Sequence, residues 1–237
     1  MNEINIEVTG GSTTKLLTAG KYCDRNIVVT ALAGGGGGGT PMWIPYITSC
    51  MNMFDTVTFP ENTELVIELQ TIDKGFNYMF RNAKNVTSVK LIADGGNTTP
   101  NSAIYIFASP SIQQVDLSEF NAVVCNWINA FYGATSLEEI IGVLRCKKQY
   151  SGQNFSNAFY MCGNLREVRF AEGTIFENCT FSSSKLLSDD SIQSIIDGLF
   201  DLTGATAQTL TFHADVGAKL TDAQKATITA KNWTLVY

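Results

Sequence analysis

The sequence predicts a mainly β chain with some α: a short right-handed solenoid of stacked repeats, a helical C-terminal cap and a small N-terminal β module. Three observations predict it. A phrase recurs through the middle of the chain, an unbroken run of six glycines (residues 34–39) sets a short segment apart before it, and helical periodicity takes over after residue 181. The phrase is clearest at 154–170 (NFSNAFYMCGNLREVRF) and returns at 127–142 (WINAFYGATSLEEIIG) and 76–91 (FNYMFRNAKNVTSVKL), with a degenerate copy at 104–117 (IYIFASPSIQQVDL). Aligned on Phe80, Phe107, Phe131 and Phe159, the copies lie 27, 24 and 28 residues apart, within the range of solenoid repeats. Each copy carries a phenylalanine, a short polar turn and two aliphatic residues three apart: Val86/Val89, Ile112/Val115, Leu137/Ile140 and Leu165/Val168. One copy cannot hide these side chains alone, whereas stacked copies bury them against one another.

Taken in order, residues 1–33 read as a small β module. Ile4, Ile6 and Val8 alternate as in a half-buried strand, and KLLTAGKYCDRNIVVTA supplies two more short apolar runs around Gly20. Three small strands hide little area, so attachment to a partner or trimerisation is expected of them. Residues 34–40 form a glycine-rich linker; a packed glycine segment at a trimer axis is the other reading, and a phosphate loop is disfavoured because no Lys-Ser/Thr follows. The solenoid is assigned to 41–181. Residues 40–54, with Pro41 and Pro45, read as its N-terminal shield, and residues 56–59 and 64–70 as strands separated by a turn at 60–62. NVTSVKLI, SIQQVDL, SLEEIIGV and NLREVRF give one short strand per repeat.

Residues 182–237 form an α/β cap. Ile192, Ile195, Ile196, Leu199 and Phe200 share one helical face, Ser188 is placed as N-cap, and Asp189 and Asp190 fall in the first turn, where the helix dipole favours carboxylates. Residues 209–215 read as a strand, 221–233 as a helix opened by the capping-box pair Thr221 and Gln224, and 234–237 as a final strand.

Composition narrows the functional classes. Of the 237 residues 45% are hydrophobic, enough for a substantial core, and 16% are charged, against about a quarter in ordinary soluble domains. The net charge of −6, with no basic run longer than Lys147–Lys148, argues against nucleic acid as a partner. No apolar stretch is long enough to insert in a membrane, and the N-terminus carries no signal-peptide pattern. The six cysteines form no C-x-x-C pair, and those of the repeats are expected buried and reduced. With one histidine, His213, no Cys/His zinc set can be completed, and no D-x-D-x-D-G calcium loop occurs. No metal or other cofactor is expected.

His213 is also the only ready imidazole base, and it reads as a surface or capping residue rather than part of a triad. Glu138 and Glu139 are adjacent on a strand and face opposite sides, unlike a glycosidase pair on one wall. No enzyme is expected. The outward residues of successive strands instead stack into ladders: Thr87/Gln113/Glu138/Arg166, Ser88/Gln114/Glu139/Glu167 and Lys90/Asp116/Ile141/Arg169. The candidate ligand-binding residues are Lys90, Asp116, Glu138, Arg166 and Arg169, with Tyr150 from the insertion at 145–153. The competing reading makes Lys90–Asp116 and Glu138–Arg166 plain cross-strand ion pairs.

AFYMCGNLREV (158–168) and AFYGATSLEEI (130–140) resemble the AF…C..L..I core of BspA-like leucine-rich repeats, and the MF…A…V form at 79–86 resembles the MF-A repeats of bacterial surface lipoproteins. The family's IP..V..IG half-repeat is absent. The resemblance implies a leucine-rich-repeat-like solenoid that serves as a binding scaffold. KLLTAGKYCDRNIVVTA is similar to a short module of tail and baseplate-associated proteins from phages and prophages of Gram-positive gut bacteria, and TLTFHADVGAKLTDAQKATITAKNWTL resembles the close of prophage-encoded repeat proteins. Together these imply a tail fibre or receptor-binding component of a virion or prophage-derived particle, made in the bacterial cytoplasm. Its implied partners are a host-cell surface polysaccharide or protein and other tail proteins, and fibres of this kind imply a homotrimer. A bacterial surface adhesin and a purely structural tail component are the alternatives.

Overall fold

A computed structural model describes residues 4–8, 15–19, 42–47, 51–69, 75–93, 101–148 and 154–237. The chain has mixed α/β content, built from small parallel sheets and few helices. Strands β1 (Ile4–Val8) and β2 (Lys15–Ala19) pair antiparallel, with Ile4 opposite Ala19. The third apolar run of that segment and the glycine linker lie outside the described residues.

The main sheet is parallel throughout and follows chain order: β3 (Met42–Ile47), β4 (Thr58–Leu69), β5 (Lys84–Ala93), β7 (Gln114–Asp116) and β9 (Glu139–Ile141). Two single bridges, Glu139 to Glu167 and Leu144 to Phe170, carry the pairing one copy further. A second row pairs β6 (Asn101–Ser102) with β8 (Val124–Asn126), and a third joins β10 (Cys179–Phe181), β11 (Gln208–Phe212) and β12 (Trp233–Val236), again all parallel. Parallel neighbours need a return path between strands, and here that path is the turn around each repeat phenylalanine.

The core explains the spacing. Val86, Ile112, Leu137 and Leu165 are buried, as are Val89, Val115, Ile140 and Val168. The repeat phenylalanines form one column of buried rings. Phe80 stands 5.9 Å from Phe107, Phe107 5.3 Å from Phe131, and Phe131 5.5 Å from Phe159, with interplanar angles of 10–16°. The column runs beyond the four aligned copies: Phe54 stacks on Phe80 at 5.2 Å, Phe181 on Phe159 at 4.6 Å, and Phe212 on Phe181 at 6.0 Å. These separations suit offset stacking, in which each ring buries both faces. Trp127 and Phe155 lie alongside at 6.3 Å from one another, and the Trp127 indole N–H donates to the Arg145 carbonyl at 2.9 Å, so Trp127 is core.

The backbone of the phenylalanine turn is stacked too. Asn52, Phe54 and Thr56 donate their N–H groups to the carbonyls of Asn77, Met79 and Arg81, and Tyr78, Phe80 and Asn82 donate to Ile104, Ile106 and Ala108, at 2.7–3.0 Å. Asn129, Phe131 and Gly133 repeat the pattern onto Ser156, Ala158 and Tyr160. To aim every second N–H along the stack, the chain turns left-handed on either side of the phenylalanine. The residue two before has φ of 50–60° (Asn52, Tyr78, Tyr105, Asn129, Asn157), and the residue two after is Thr56, Asn82, Gly133 or Met161 at 57–72°. Asparagine and glycine accept that region readily, which accounts for their frequency at these positions.

One strand expectation needs correction. Residues 56–59 and 64–70 are not separate strands around a turn. β4 runs through Pro60, and its register to β5 shifts between Thr58 and Thr63, with Asn62 at φ 57° and the Thr63 hydroxyl donating to the Pro60 carbonyl at 2.7 Å. A proline supplies no N–H, and a bulge absorbs that gap without ending the strand. The segment read as an N-terminal shield contributes β3, the first strand of the main sheet.

The C-terminal part holds helix α1 (Asp189–Gly198), the single turn α2 (Ala214–Gly217) and α3 (Asp222–Ala230). Ser188 caps α1 by accepting from the Ser191 N–H, and Thr221 with Gln224 forms the complete capping box of α3. Phe200 is not on the inner face of α1. The helix stops at Gly198, Leu199 turns extended, and Phe200 swings out to solvent, edge-on to Phe176 at 5.3 Å. Gly198 is obligatory for the docking of α1, because a Cβ there would fall 2.7 Å from Phe170 Cβ.

Candidate functional site

The outward face of the main sheet carries the sequence-predicted ladders in the expected register. Gln114 pairs with Ser88 on one side and Glu139 on the other, and Asp116 likewise with Lys90 and Ile141. The backbone N–H of Gln113 donates to Thr87, that of Glu138 to Gln113 and that of Arg166 to Glu138, all at 2.8 Å. Gln114 Nε2 donates to Glu139 Oε2 at 2.9 Å.

Lys90 is held by two carboxylates, Glu119 at 2.5 Å and Asp116 at 3.6 Å. The hydrogen bond to Glu119, and then the nearby charge of Asp116, raise the ammonium pKa above its ordinary value. Glu119 was not among the predicted residues; it follows the strand by three positions and folds back over Lys90. Arg169 reaches Asp190 of α1 at 3.7 Å. Glu138 and Arg166 are both exposed, and among the described residues no ion pair joins them, so the cross-strand pairing considered for them is not made. Tyr150 and the rest of its insertion from 149 to 153 lie outside the described residues. The structure therefore brings Lys90 and Asp116 together, leaves Glu138 and Arg166 as separate groups on the same face, and sets Arg169 at the far edge.

At that edge the sheet is closed by α1. Ser191 Oγ accepts the Val168 N–H and donates to the Arg166 carbonyl, both at 3.0 Å, Ser194 Oγ accepts the Phe170 N–H at 2.9 Å, and the Ser188 N–H donates to Arg166. Glu167 accepts the hydroxyls of Ser188 and Ser191. Beside this seam lies an open cleft of about 770 Å³ lined in part by Arg169, Glu172, Asp190, Asp197 and Lys231. The Lys231 ammonium is already committed to the C-terminal carbonyls of α1, bonding Ile196, Asp197 and Leu199 at 2.9–3.1 Å, so the cleft is a helix-end clamp rather than a preformed anion site.

A second surface was invisible to ladder reasoning on the strands. Tyr78, Tyr105, Tyr132 and Tyr160 form a row along the outside of the phenylalanine turns, with ring centres 5.7, 5.8 and 5.1 Å apart. Tyr78 and Tyr105 stand two residues before their phenylalanine and Tyr132 and Tyr160 one residue after, so the row changes sequence position and passes through an edge-on contact of 62°. Arg81 lies 4.6 Å above the Tyr78 ring and pairs with Asp55 from the preceding copy. That hydrogen bond raises the guanidinium pKa above its ordinary value and leaves this end of the row without net charge. At the other end Tyr160 and Met161 are 42% and 47% exposed.

The single histidine has a structural role: His213 Nδ1 caps α2 by accepting the Asp215 N–H at 3.1 Å. Cys146, Cys162 and Cys179 are free and buried, and burial pushes the first two thiols up to about 12 and the third higher. Among the described residues no group of three or more His, Cys, Asp or Glu side chains is placed to hold a metal ion, and no helix is long and apolar enough to cross a membrane.

The class these observations define is an α/β chain of small parallel sheets stacked in sequence order, with exposed side-chain rows on its outer surfaces. The chain matches no protein-family model, no curated protein and no solved structure.

Proposed function

We propose that the chain is a leucine-rich-repeat-like solenoid that works as a non-enzymatic binding protein, a tail fibre or receptor-binding component of a phage or prophage particle presenting its repeat surface to a host-cell ligand. The observation that carries this reading is the pairing of a rigid core with periodic outer rows. A column of seven stacked phenylalanines, from Phe54 to Phe212, fixes the spacing at which side chains project from each copy, and fixed, repeated projection is what extended binding surfaces of repeat proteins use. The module–linker–repeat layout and the two end segments that resemble phage sequences support the particle setting.

The test is direct. Particles released from an induced lysogen carrying the gene are purified and labelled with antibody to this chain, and the purified protein is incubated with cells of the host. Label at the tail tip together with saturable cell binding is expected; unlabelled particles that infect normally would sink the reading. The neutralisation of Lys90 by Asp116 and Glu119 favours a second reading, a structural tail component whose sheet face is merely kept soluble. Tail labelling without any cell binding distinguishes it.

A further inference from the structure

We propose that the tyrosine row ending at Tyr160 is a binding platform for a neutral, extended glycan. The inference rests on the binding-protein reading above and names the ligand class of one of its surfaces. Four observations carry it. The row is periodic, with rings 5.1–5.8 Å apart, a step close to one pyranose unit of an extended chain, so successive sugars meet successive tyrosines. The four phenol hydroxyls make no hydrogen bond among the described residues, and each can both donate and accept, which suits the hydroxyls of a sugar.

At the Tyr78 end the cation over the ring, Arg81, is paired with Asp55, so that end offers no unpaired charge to attract a polyanion. Finally, the row stops in a step. Tyr132 stacks on one face of Tyr160, and the next copy carries the exposed Ser182 where Tyr160 and Tyr132 carry their rings, immediately after the column phenylalanine. That substitution of serine for tyrosine leaves the outer face of Tyr160 uncovered by another ring, flanked by the exposed Met161. An open aromatic face beside a small residue is where the apolar face of a sugar ring packs, and the tyrosine hydroxyls behind it continue the contact along the chain.

The experiment uses the full chain with three neutral probes, cellohexaose, laminarihexaose and maltohexaose, and one anionic probe, a hyaluronan hexasaccharide, read by calorimetry and by ¹⁹F spectra of 3-fluorotyrosine-labelled protein. Binding of at least one neutral hexasaccharide is expected, with shifts of tyrosine resonances that need more ligand to reach completion in Tyr160→Ala and Tyr132→Ala. Each variant should weaken binding roughly three- to tenfold, and Lys219→Ala, at an exposed position of the C-terminal part, should leave it unchanged. Thermal unfolding of each variant confirms that the fold survives. No binding of any neutral probe, binding that the tyrosine variants leave at full strength, or binding of hyaluronan alone would each overturn the proposal. Cell binding lost in Arg166→Ala but kept in Tyr160→Ala overturns this inference and spares the binding-protein reading; hexasaccharide binding without any cell or particle association does the reverse.

Discussion

Replacing Phe131 by alanine removes a ring stacked on both sides, 5.3 Å from Phe107 and 5.5 Å from Phe159. Phe131 is fully buried, so a loss of about 3–5 kcal/mol is expected in urea unfolding. Phe200→Ala, at an exposed site, should cost less than about 1 kcal/mol; equal losses would mean that the column carries no special share of the stability. Met161 presents the opposite case. It is exposed and sits at φ 65°, where a side chain costs about 1–2 kcal/mol that glycine does not incur, so Met161→Gly should stabilise the fold by about 0.5–1 kcal/mol after glycine's extra chain entropy. The buried thiols give a pH signature. Cys146 and Cys162 are raised by burial from an ordinary 9.0 to about 12, so above pH 9 the unfolded chain releases thiol protons that the folded chain keeps. Stability contributed by these thiols is complete below pH 9 and is lost as pH climbs towards 12. Urea midpoints taken on either side of pH 9 should fall, and the fall should be shallower in a Cys162→Ala variant.

Helix α1 is tied to the last copy by hydroxyls rather than by a strand. Ser191→Ala leaves the Val168 N–H without its acceptor in a buried seam, and a loss of about 1–3 kcal/mol is expected, with faster amide exchange at Val168. Unchanged exchange there would show that the seam is held by packing alone. At this scale the chain was most readable where its causes are local. The caps Ser188 and Thr221 act within three or four residues, and the aliphatic pairs of the four aligned copies share one spacing, so both were evident and both are as expected. The flanking rings were not. Phe54 sits in a Met-Phe pair like that of Met79–Phe80, a usable signal, but Phe181 and Phe212 are followed by sequences without the aliphatic pair and gave none. Pro60 and Asn62 read as a turn because proline and asparagine usually mark one; only the neighbouring strand converts them to a bulge. The stacking of the four tyrosines into one row was hidden because its members change position relative to the phenylalanine, and a contact that depends on three-dimensional stacking leaves no fixed spacing in the chain.

For the molecule as a whole, the parallel pairing makes each copy depend on its two neighbours. Amides at the centre of the phenylalanine turns, such as Phe80 and Phe107, should exchange more slowly than Asn52 and Thr56 at the first copy, which lacks a described predecessor in that row. Uniform exchange along the column would contradict a nearest-neighbour stack. The trimer implied for a fibre component is tested by the solution mass of the intact chain beside one beginning at Thr40. A trimer that falls to a monomer on truncation is expected; monomers in both cases would remove the assembly role from the N-terminal segment.

The seam at Val168–Phe170 bears on aggregation. A stack of parallel strands with like rings over like rings has the internal order of an amyloid protofilament folded from one chain, and such order can template its own extension wherever an edge stays open. Here two serines of α1, Ser191 and Ser194, occupy the hydrogen-bonding groups that a further strand would need, and the other row ends in a strand of four residues, β12. Helix α1 is a chain terminator for β growth. Loss of Ser191 and Ser194 together should therefore show itself in thioflavin-positive fibres from a protein whose sheets are otherwise intact.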